Sequence, residues 1–264
     1  MTQTAMYDDS TVMTTSLCRY ILRAQPVATL LHATPEWVVA QATKGYTGHY
    51  SADPLSPEDQ ALFWKELGNT KLKGPMEMAT SFWLIEDVTR GFTHQLARYR
   101  LGFSMVQESQ RFSKQTGSLA RIVIPTNIVQ NSSAMEEFVE GCEGAMTAYF
   151  AMLDAEGVET QDARSLLPTG ICTRLYANFS ILSLAHVYEQ RHCCQAQSEE
   201  WSPIVAQMKQ ELLGKGFPRY AASLVAPWEN PTCVSCGFGA SFDRPCKNQE
   251  KFDANLEALF YSRL

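Results

Sequence analysis

Ala79 to Ile85 is the stretch from which the other elements can be placed. Phe82, Trp83, Leu84 and Ile85 follow one another there. A short run of large apolar residues bounded by turn signals reads as a strand. Before it, Asn69 to Pro75 is a loop holding Lys71 and Lys73. After it, Asp87 is placed to cap a helix that carries Val88, Phe92 and Leu96 at four-residue spacing. Gln95 and Arg98, three apart, share another face of that helix.

The preceding segment reads as strands followed by helices. Cys18 to Leu31 has aliphatic and β-branched residues around Pro26 and suits one or two short strands. Thr34-Pro35-Glu36 and Ser56-Pro57-Glu58 both carry helix-start chemistry. Each has a hydroxyl cap, a proline in the first turn and a carboxylate near the positive helix end. Phe103 to Phe112 reads as loop, and Leu119 to Ile124 as a strand ended by Pro125. From there the pattern is helical: Met135 to Leu153, Thr173 to Arg191, Ser202 to Leu213 and Tyr220 to Leu224. Apolar residues on two faces of the Thr173–Arg191 segment suggest a helix packed in the interior or at a subunit interface. The expected class is α+β, with a small mixed or antiparallel sheet, flanking helices and a helical C-terminal half. Residues 1–16, polar and Thr/Ser-rich, are expected to form a flexible N-terminus, and residues 17–264 a single domain.

Composition narrows the function classes. The chain has 264 residues, 45% of them apolar, which is enough for a substantial core. Its net charge is -6, so a protein that coats nucleic acid is not indicated and any anion binding is local. No apolar run approaches the ~20 residues that span a bilayer, and no apolar signal core opens the chain. A cytoplasmic location is expected. The 8 cysteines are then best read as reduced thiols. Cys233, Cys236 and Cys246 lack a fourth ligand at matching spacing, so no metal site is assigned. Pro245-Cys246 is followed by Lys247, and no base marks Cys246 as a nucleophile.

The chemistry concentrates between Gln95 and Phe112. Gln95, Arg98, Arg100, Gln107, Ser109, Gln110 and Arg111 crowd into a short span of a weakly charged chain. Guanidinium forks with a nearby hydroxyl make an oxyanion or phosphate site. A solvated helix end with a polar loop has the same composition, and spacing does not separate the two readings.

Five motifs in one order do separate them. They are Glu77 before the strand; Gln95-x-x-Arg98-Tyr99-Arg100; Gln107-x-Ser109-x-Arg111-Phe112; Ala163-Arg164-Ser165-Leu166-Leu167-Pro168; and a helix ending at Arg191 with Ala196-Gln197 beyond it. This order, over about residues 35–215, resembles the flavin-dependent thymidylate synthases. The resemblance implies that Ser109, Gln110, Arg111 and Arg164 hold a nucleotide phosphate and that Gln95 and Gln107 help fix the nucleotide. It implies that Arg191 faces the uracil ring and stabilises charge as hydride adds, while Arg98, Tyr99, Arg100, His186 and Gln197 lie toward FAD. It further implies methylenetetrahydrofolate as carbon donor, NADPH as reductant, and a homotetramer with active sites between subunits. Arg191 also suits a helix C-terminus, Arg164 a surface bridge, and His186 a satisfied core histidine.

The chain departs from the family pattern at Met78, Tyr99 and Phe112, where the family has His, His and Tyr, and at Ser180 and Leu182, where it has Asn and Arg. The segment between Arg100 and Ser109 is one residue longer than usual. The nucleotide side is kept better than the flavin side. The imbalance resembles a specialised branch of the family that makes 5-methyl-UMP for nucleoside antibiotics of the polyoxin type. The expected activity is flavin-dependent C5 methylation of UMP or dUMP. The alternatives are a pyrimidine nucleotide 5-hydroxymethylase and a non-catalytic uridine-nucleotide-binding module.

Overall fold

The computed structural model describes residues 12–22, 24–115, 120–193 and 199–227. Among them the chain forms two compact units interleaved in sequence. The first takes residues 12–27, 85–98 and 105–176; the second takes 28–84, 99–104 and 177–227. The class is α+β, as expected.

In the first unit, β1 (Val12–Thr14), β2 (Arg19–Ile21) and β6 (Arg121–Val123) form one sheet. β1 pairs antiparallel with β2, and β2 pairs parallel with β6, setting Tyr20 opposite Ile122. The long helix α5 (Ser132–Asp154) starts at Asn131, whose side chain accepts from the Ala134 N–H. Its Cys142, Met146 and Tyr149 join Cys18, Tyr20, Ile122 and Ile124 in a buried apolar cluster. Glu143 enters this region with its charge satisfied, accepting from the Tyr20 hydroxyl at 2.8 Å and the Thr15 hydroxyl at 2.7 Å.

In the second unit, α1 (Trp37–Lys44) packs on α2 (Pro57–Asn69) and α8 (Trp201–Gly214) on α9 (Pro218–Ser223), with Val39, Leu67, Ile204, Val205, Leu212 and Tyr220 buried, and Trp64 of α2 meets Tyr220 of α9 at 5.8 Å between ring centres. Ser56 caps α2 by accepting from the Asp59 N–H at 3.1 Å, with Pro57 in the first turn, as its residues require. Thr34 behaves otherwise. Its hydroxyl accepts from the Thr80 N–H at 3.0 Å, and no side chain caps α1. Glu36 instead accepts the backbone N–H groups of Arg219 and Tyr220 at the start of α9.

A second sheet has the order β3 (Val27–Ala33), β4 (Thr80–Thr89), β7 (Cys172–Ser180), β5 (Phe103–Gln107). Pro26 separates β2 from β3, as its missing donor favours. Three expectations are corrected here. The segment Thr173 to Arg191 is not one helix: it is β7 followed by α7 (Ile181–Arg191). Phe103 to Gln107 is the edge strand β5 rather than loop. Asp87 caps no helix. It ends up inside β4 with φ of 57°, ion-paired to Arg121, and Thr89 caps α3 (Arg90–Leu96) by accepting from the Phe92 N–H. Aspartate tolerates left-handed backbone better than most residues, and the ion pair holds it there.

Gly102 meets a tighter requirement. Its φ is 61°, its carbonyl accepts from the Ser180 N–H at 2.6 Å, and an added Cβ would land on the Ser180 hydroxyl and lie 3.2 Å from Ser183 Cβ. Ser180 is the α7 cap, accepting from the Ser183 N–H at 3.1 Å. Gly102→Ala therefore combines a left-handed non-glycine residue with a clash at a helix cap. It is expected to destabilise the fold by ~2–4 kcal/mol, read as a lower urea midpoint.

Candidate functional site

The first unit brings the Arg90 and Arg164 cations within electrostatic reach of one another from distant parts of the chain. Thr89 starts α3 and leaves Arg90 at its first residue, half-buried. The Arg90 N–H donates to the Ile171 carbonyl at 3.1 Å, which fixes its backbone. Burial pushes the Arg90 pKa down, and nearby Arg164 pushes the same way, while Glu108 opposes them. Arg164 follows the single-turn helix α6 (Thr160–Ala163), and its Nε donates to the Gln161 carbonyl at 3.1 Å. Two guanidinium groups near one another and out of full solvent favour an anion. Glu108 lies beside them but is shared, since it is also 3.6 Å from Arg174 and accepts from the Ser113 hydroxyl at 3.4 Å.

The expected phosphate loop lies next to Glu108. Gln107 ends β5 and donates its side-chain amide to the Thr93 hydroxyl at 2.8 Å; that hydroxyl donates in turn to the Arg90 carbonyl at 3.1 Å. Residues 109–113 form a tight turn in which the Ser109 hydroxyl accepts from the Arg111 N–H at 3.2 Å and its carbonyl from the Ser113 N–H at 2.9 Å. Gln110 is buried and Arg111 exposed, with its guanidinium 5.7 Å from the Phe112 ring centre. Gln95 is half-buried on α3, and Arg98 lies just past its end, exposed. Gln107 thus reaches the Arg90 backbone through Thr93, and Arg164 and Glu108 lie within electrostatic reach of the Arg90 side chain. Arg90 and Thr93 carry no motif that marks them in sequence. Their position two turns or less from Gln95 was the only signal.

The second unit holds Arg191 at the last turn of α7. Its guanidinium sits over two rings, 4.6 Å from the Trp201 centre and 5.4 Å from the Tyr99 centre. Its Nε donates to the Tyr99 hydroxyl at 2.8 Å. His186 is exposed rather than a core histidine, and its ring meets Tyr99 edge-on at 6.2 Å. On α7 the core face is taken by Ile181, Leu184, Val187 and Tyr188, which turns residue 186 outward. Arg100 is exposed beside Tyr99 in sequence. Trp201 and Gln190 escaped sequence reading, because nothing in the spacing of Arg191 and Trp201 announces their contact. Gln197, with Ala196, Cys233, Cys236 and Cys246, lies outside the described residues. Met78 is exposed, and Ser180 is buried as the α7 cap.

Just after Arg191 the electrostatics change. His192 packs against Tyr188, ring centres 5.0 Å apart, and burial first, then the Lys209 cation, holds its pKa down at about 4 from an ordinary 6.5. The folded chain then binds fewer protons than the unfolded chain between those values. The contribution of His192 to stability is complete above the ordinary value and lost as pH falls toward the folded one. Urea midpoints measured at neutral pH and at about pH 5 should show a drop on acidification that His192→Gln reduces.

Among the described residues no cluster of His, Cys, Asp and Glu is arranged to hold a metal ion, and no helix is long and apolar enough to cross a membrane. For a flavin, the second unit offers Arg100, the Tyr99 ring and His186, while Arg98 is exposed at the end of its segment in the first unit. Exposed guanidinium groups can bind a pyrophosphate, and aromatic rings can stack on a planar heterocycle. The residues present fit such a group.

Comparison with known proteins follows the same lines. The family described as thymidylate synthase complementing protein matches residues 29–218. A flavin-dependent thymidylate synthase of Nitratidesulfovibrio vulgaris is 30% identical over 195 residues, 67% of this chain and 78% of that protein. The flavin-dependent thymidylate synthase of Pyrococcus horikoshii is 26% identical over 219 residues, covering 79% of this chain and 87% of that protein. The fold is similar to that of the UMP/dUMP methylase PolB from Streptomyces cacaoi bound with 5-Br dUMP. The TM-score is 0.62 at 17% identity, over 76% of this chain and 95% of that one. With its motifs in family order and the family match running through most of its length, the chain belongs to the thymidylate synthase complementing protein family, that of the flavin-dependent thymidylate synthases.

Proposed function

We propose that this enzyme methylates C5 of a uridine 5'-monophosphate, UMP or dUMP, using methylenetetrahydrofolate as carbon donor and NADPH as reductant. The observation that carries the nucleotide half is the half-buried pair Arg90 and Arg164 near the Gln107–Arg111 turn. Two partly desolvated cations outnumber the one carboxylate, Glu108, that acts on Arg90, and a phosphate monoester adds negative charge and acceptor oxygens that suit such a pair. Ser109, Gln110 and Arg111 then bind the phosphate with Arg164, and Gln95 and Gln107 fix the nucleotide.

Arg191 supplies the second half. Placed toward the uracil ring, its cation stabilises the negative charge that develops on the pyrimidine as hydride adds, an effect realised in the transition state. Arg98, Tyr99, Arg100, His186 and Gln197 are the residues assigned to hold FAD. Bound FAD supplies the hydride, after reduction by NADPH. The Met78, Ser180 and Leu182 departures fall on this side and not on the phosphate side, which favours the polyoxin-type branch over a housekeeping role. We further propose a single catalytic domain in a cytoplasmic homotetramer with active sites between subunits, which light scattering tests directly.

The deciding assay combines purified protein, FAD, NADPH and methylenetetrahydrofolate with UMP or dUMP. A 5-methyl product from either nucleotide is expected by mass spectrometry. A product heavier by one oxygen would assign 5-hydroxymethylation instead. No product from either nucleotide, with tight nucleotide binding and no flavin absorbance, would leave only a binding module.

A further inference from the structure

We propose that Tyr99 is a positioning residue for Arg191, setting the plane in which its guanidinium is presented. The Tyr99 hydroxyl donates to Gln190 Oε1 at 2.9 Å and accepts from Arg191 Nε at 2.8 Å. A phenol has one proton. Spent on Gln190, it leaves a lone pair facing Arg191, so the two bonds impose each other's direction. Gln190 and Arg191 are adjacent on α7, so one hydroxyl pins consecutive residues of the same helical turn.

The rings complete the restraint. Trp201, 1% exposed, lies under the guanidinium at 4.6 Å, and its ring meets Tyr99 edge-on at 6.5 Å. Two ring faces hold the cation in place, but attraction to a ring does not by itself set the direction of the N–H donors. The bond at Nε restrains that orientation at the Tyr99 side. Arginine otherwise has many rotamers, and a planar fork is useful only when its orientation is fixed.

Residue type matters here. A phenol carries its oxygen beyond the ring, so Tyr99 can face His186 with its edge and still reach Arg191 with its tip. The family pattern has His at this position, which is a shorter side chain. Tyr99 was assigned to the flavin side with Arg98 and Arg100. The bonds to α7 give it a second task. That Arg191 orientation affects turnover rests on the proposed nucleotide methylation; the restraint itself does not.

The test separates the two. The Arg191 Nε–H resonance, assigned by its loss in Arg191→Lys, reports solvent exchange without any substrate. In Tyr99→Phe the ring stays and the hydroxyl goes, and exchange at Arg191 Nε is expected to accelerate ~10–100-fold. Turnover of the uridine nucleotide by the same variant is expected to fall ~10-fold or more in kcat, with a smaller change in KM. Gln190→Leu, at an exposed position, should give a weaker acceleration and serves if Tyr99→Phe folds poorly. Unchanged exchange in the variants overturns the proposal, as does faster exchange with unchanged kcat. If the wild-type chain turns over neither UMP nor dUMP, the methylation reading fails, and the exchange rates still decide whether Tyr99 holds Arg191.

Discussion

Arg191→Ala is expected to lower turnover of UMP or dUMP by ~100–1,000-fold, the cost of removing one preorganised group that meets charge developing in a transition state. The side chain is half-buried, fixed at Nε by Tyr99 and stacked on Trp201, so its orientation exists before substrate arrives. The competing role for a cation at the last turn of α7 is to complement the helix dipole. The two roles predict different variants. A dipole partner contributes ~0.3–1 kcal/mol of stability, and Lys replaces it well. An oriented guanidinium is not replaced by Lys, whose ammonium lacks both the Nε donor and the planar face. Comparable kcat losses in Arg191→Ala and Arg191→Lys, with melting temperatures close to wild type, are the expected pattern. Full activity in Arg191→Lys would assign the residue to the helix end.

The elements that sequence placed well are those whose signals are local. Ser56-Pro57-Glu58 carries its own cap and first turn, and α2 starts there. Pro26 divides β2 from β3 because no long-range contact can restore its missing donor. The Thr173–Arg191 segment misled because it satisfies two periods at once. Leu175, Phe179 and Leu182 suit a helical face, but Leu175, Ala177 and Phe179 alternate and are among the residues buried in β7. Neighbouring strands in the sheet decide between those periods, and they are distant in sequence. Asp87 carries a side chain suited to capping, yet Thr89 caps α3. The choice fell to Thr89 because Asp87 is drawn to Arg121 on β6.

The candidate site divides the same way. Ser109 to Ser113 fold as one turn whose residues are adjacent in sequence, while Gln107 just before them belongs to β5, a placement that its strand neighbours decide. Arg90 was not legible, because what distinguishes it is the approach of Arg164, far along the chain. The ring contacts of Arg191 are likewise tertiary: Trp201 and Tyr99 come from separate segments. His186 was misjudged by counting apolar neighbours in sequence, since on a helix those neighbours occupy the other face.

Arg164→Ala is expected to weaken binding of UMP or dUMP by ~10–100-fold, the value of a hydrogen bond to a charged group, while leaving the weaker affinity for uridine nearly unchanged. Comparing nucleotide with nucleoside isolates the phosphate, because both share base and sugar. Arg90→Ala should act in the same direction. Because Arg164 and Arg90 share one electrostatic environment, their losses should not multiply in the double variant. Removing either also relieves repulsion on the other, so each single variant is expected to gain or hold stability while losing ligand. That opposite sign is the mark of a binding site and not of a structural bridge. If Arg164 were only a surface bridge, stability would fall slightly and nucleotide affinity would stay put. Arg111→Ala, at an exposed position over Phe112, should show a smaller loss that shrinks as salt is raised, since solvent and counterions screen an exposed charge more than the half-buried pair.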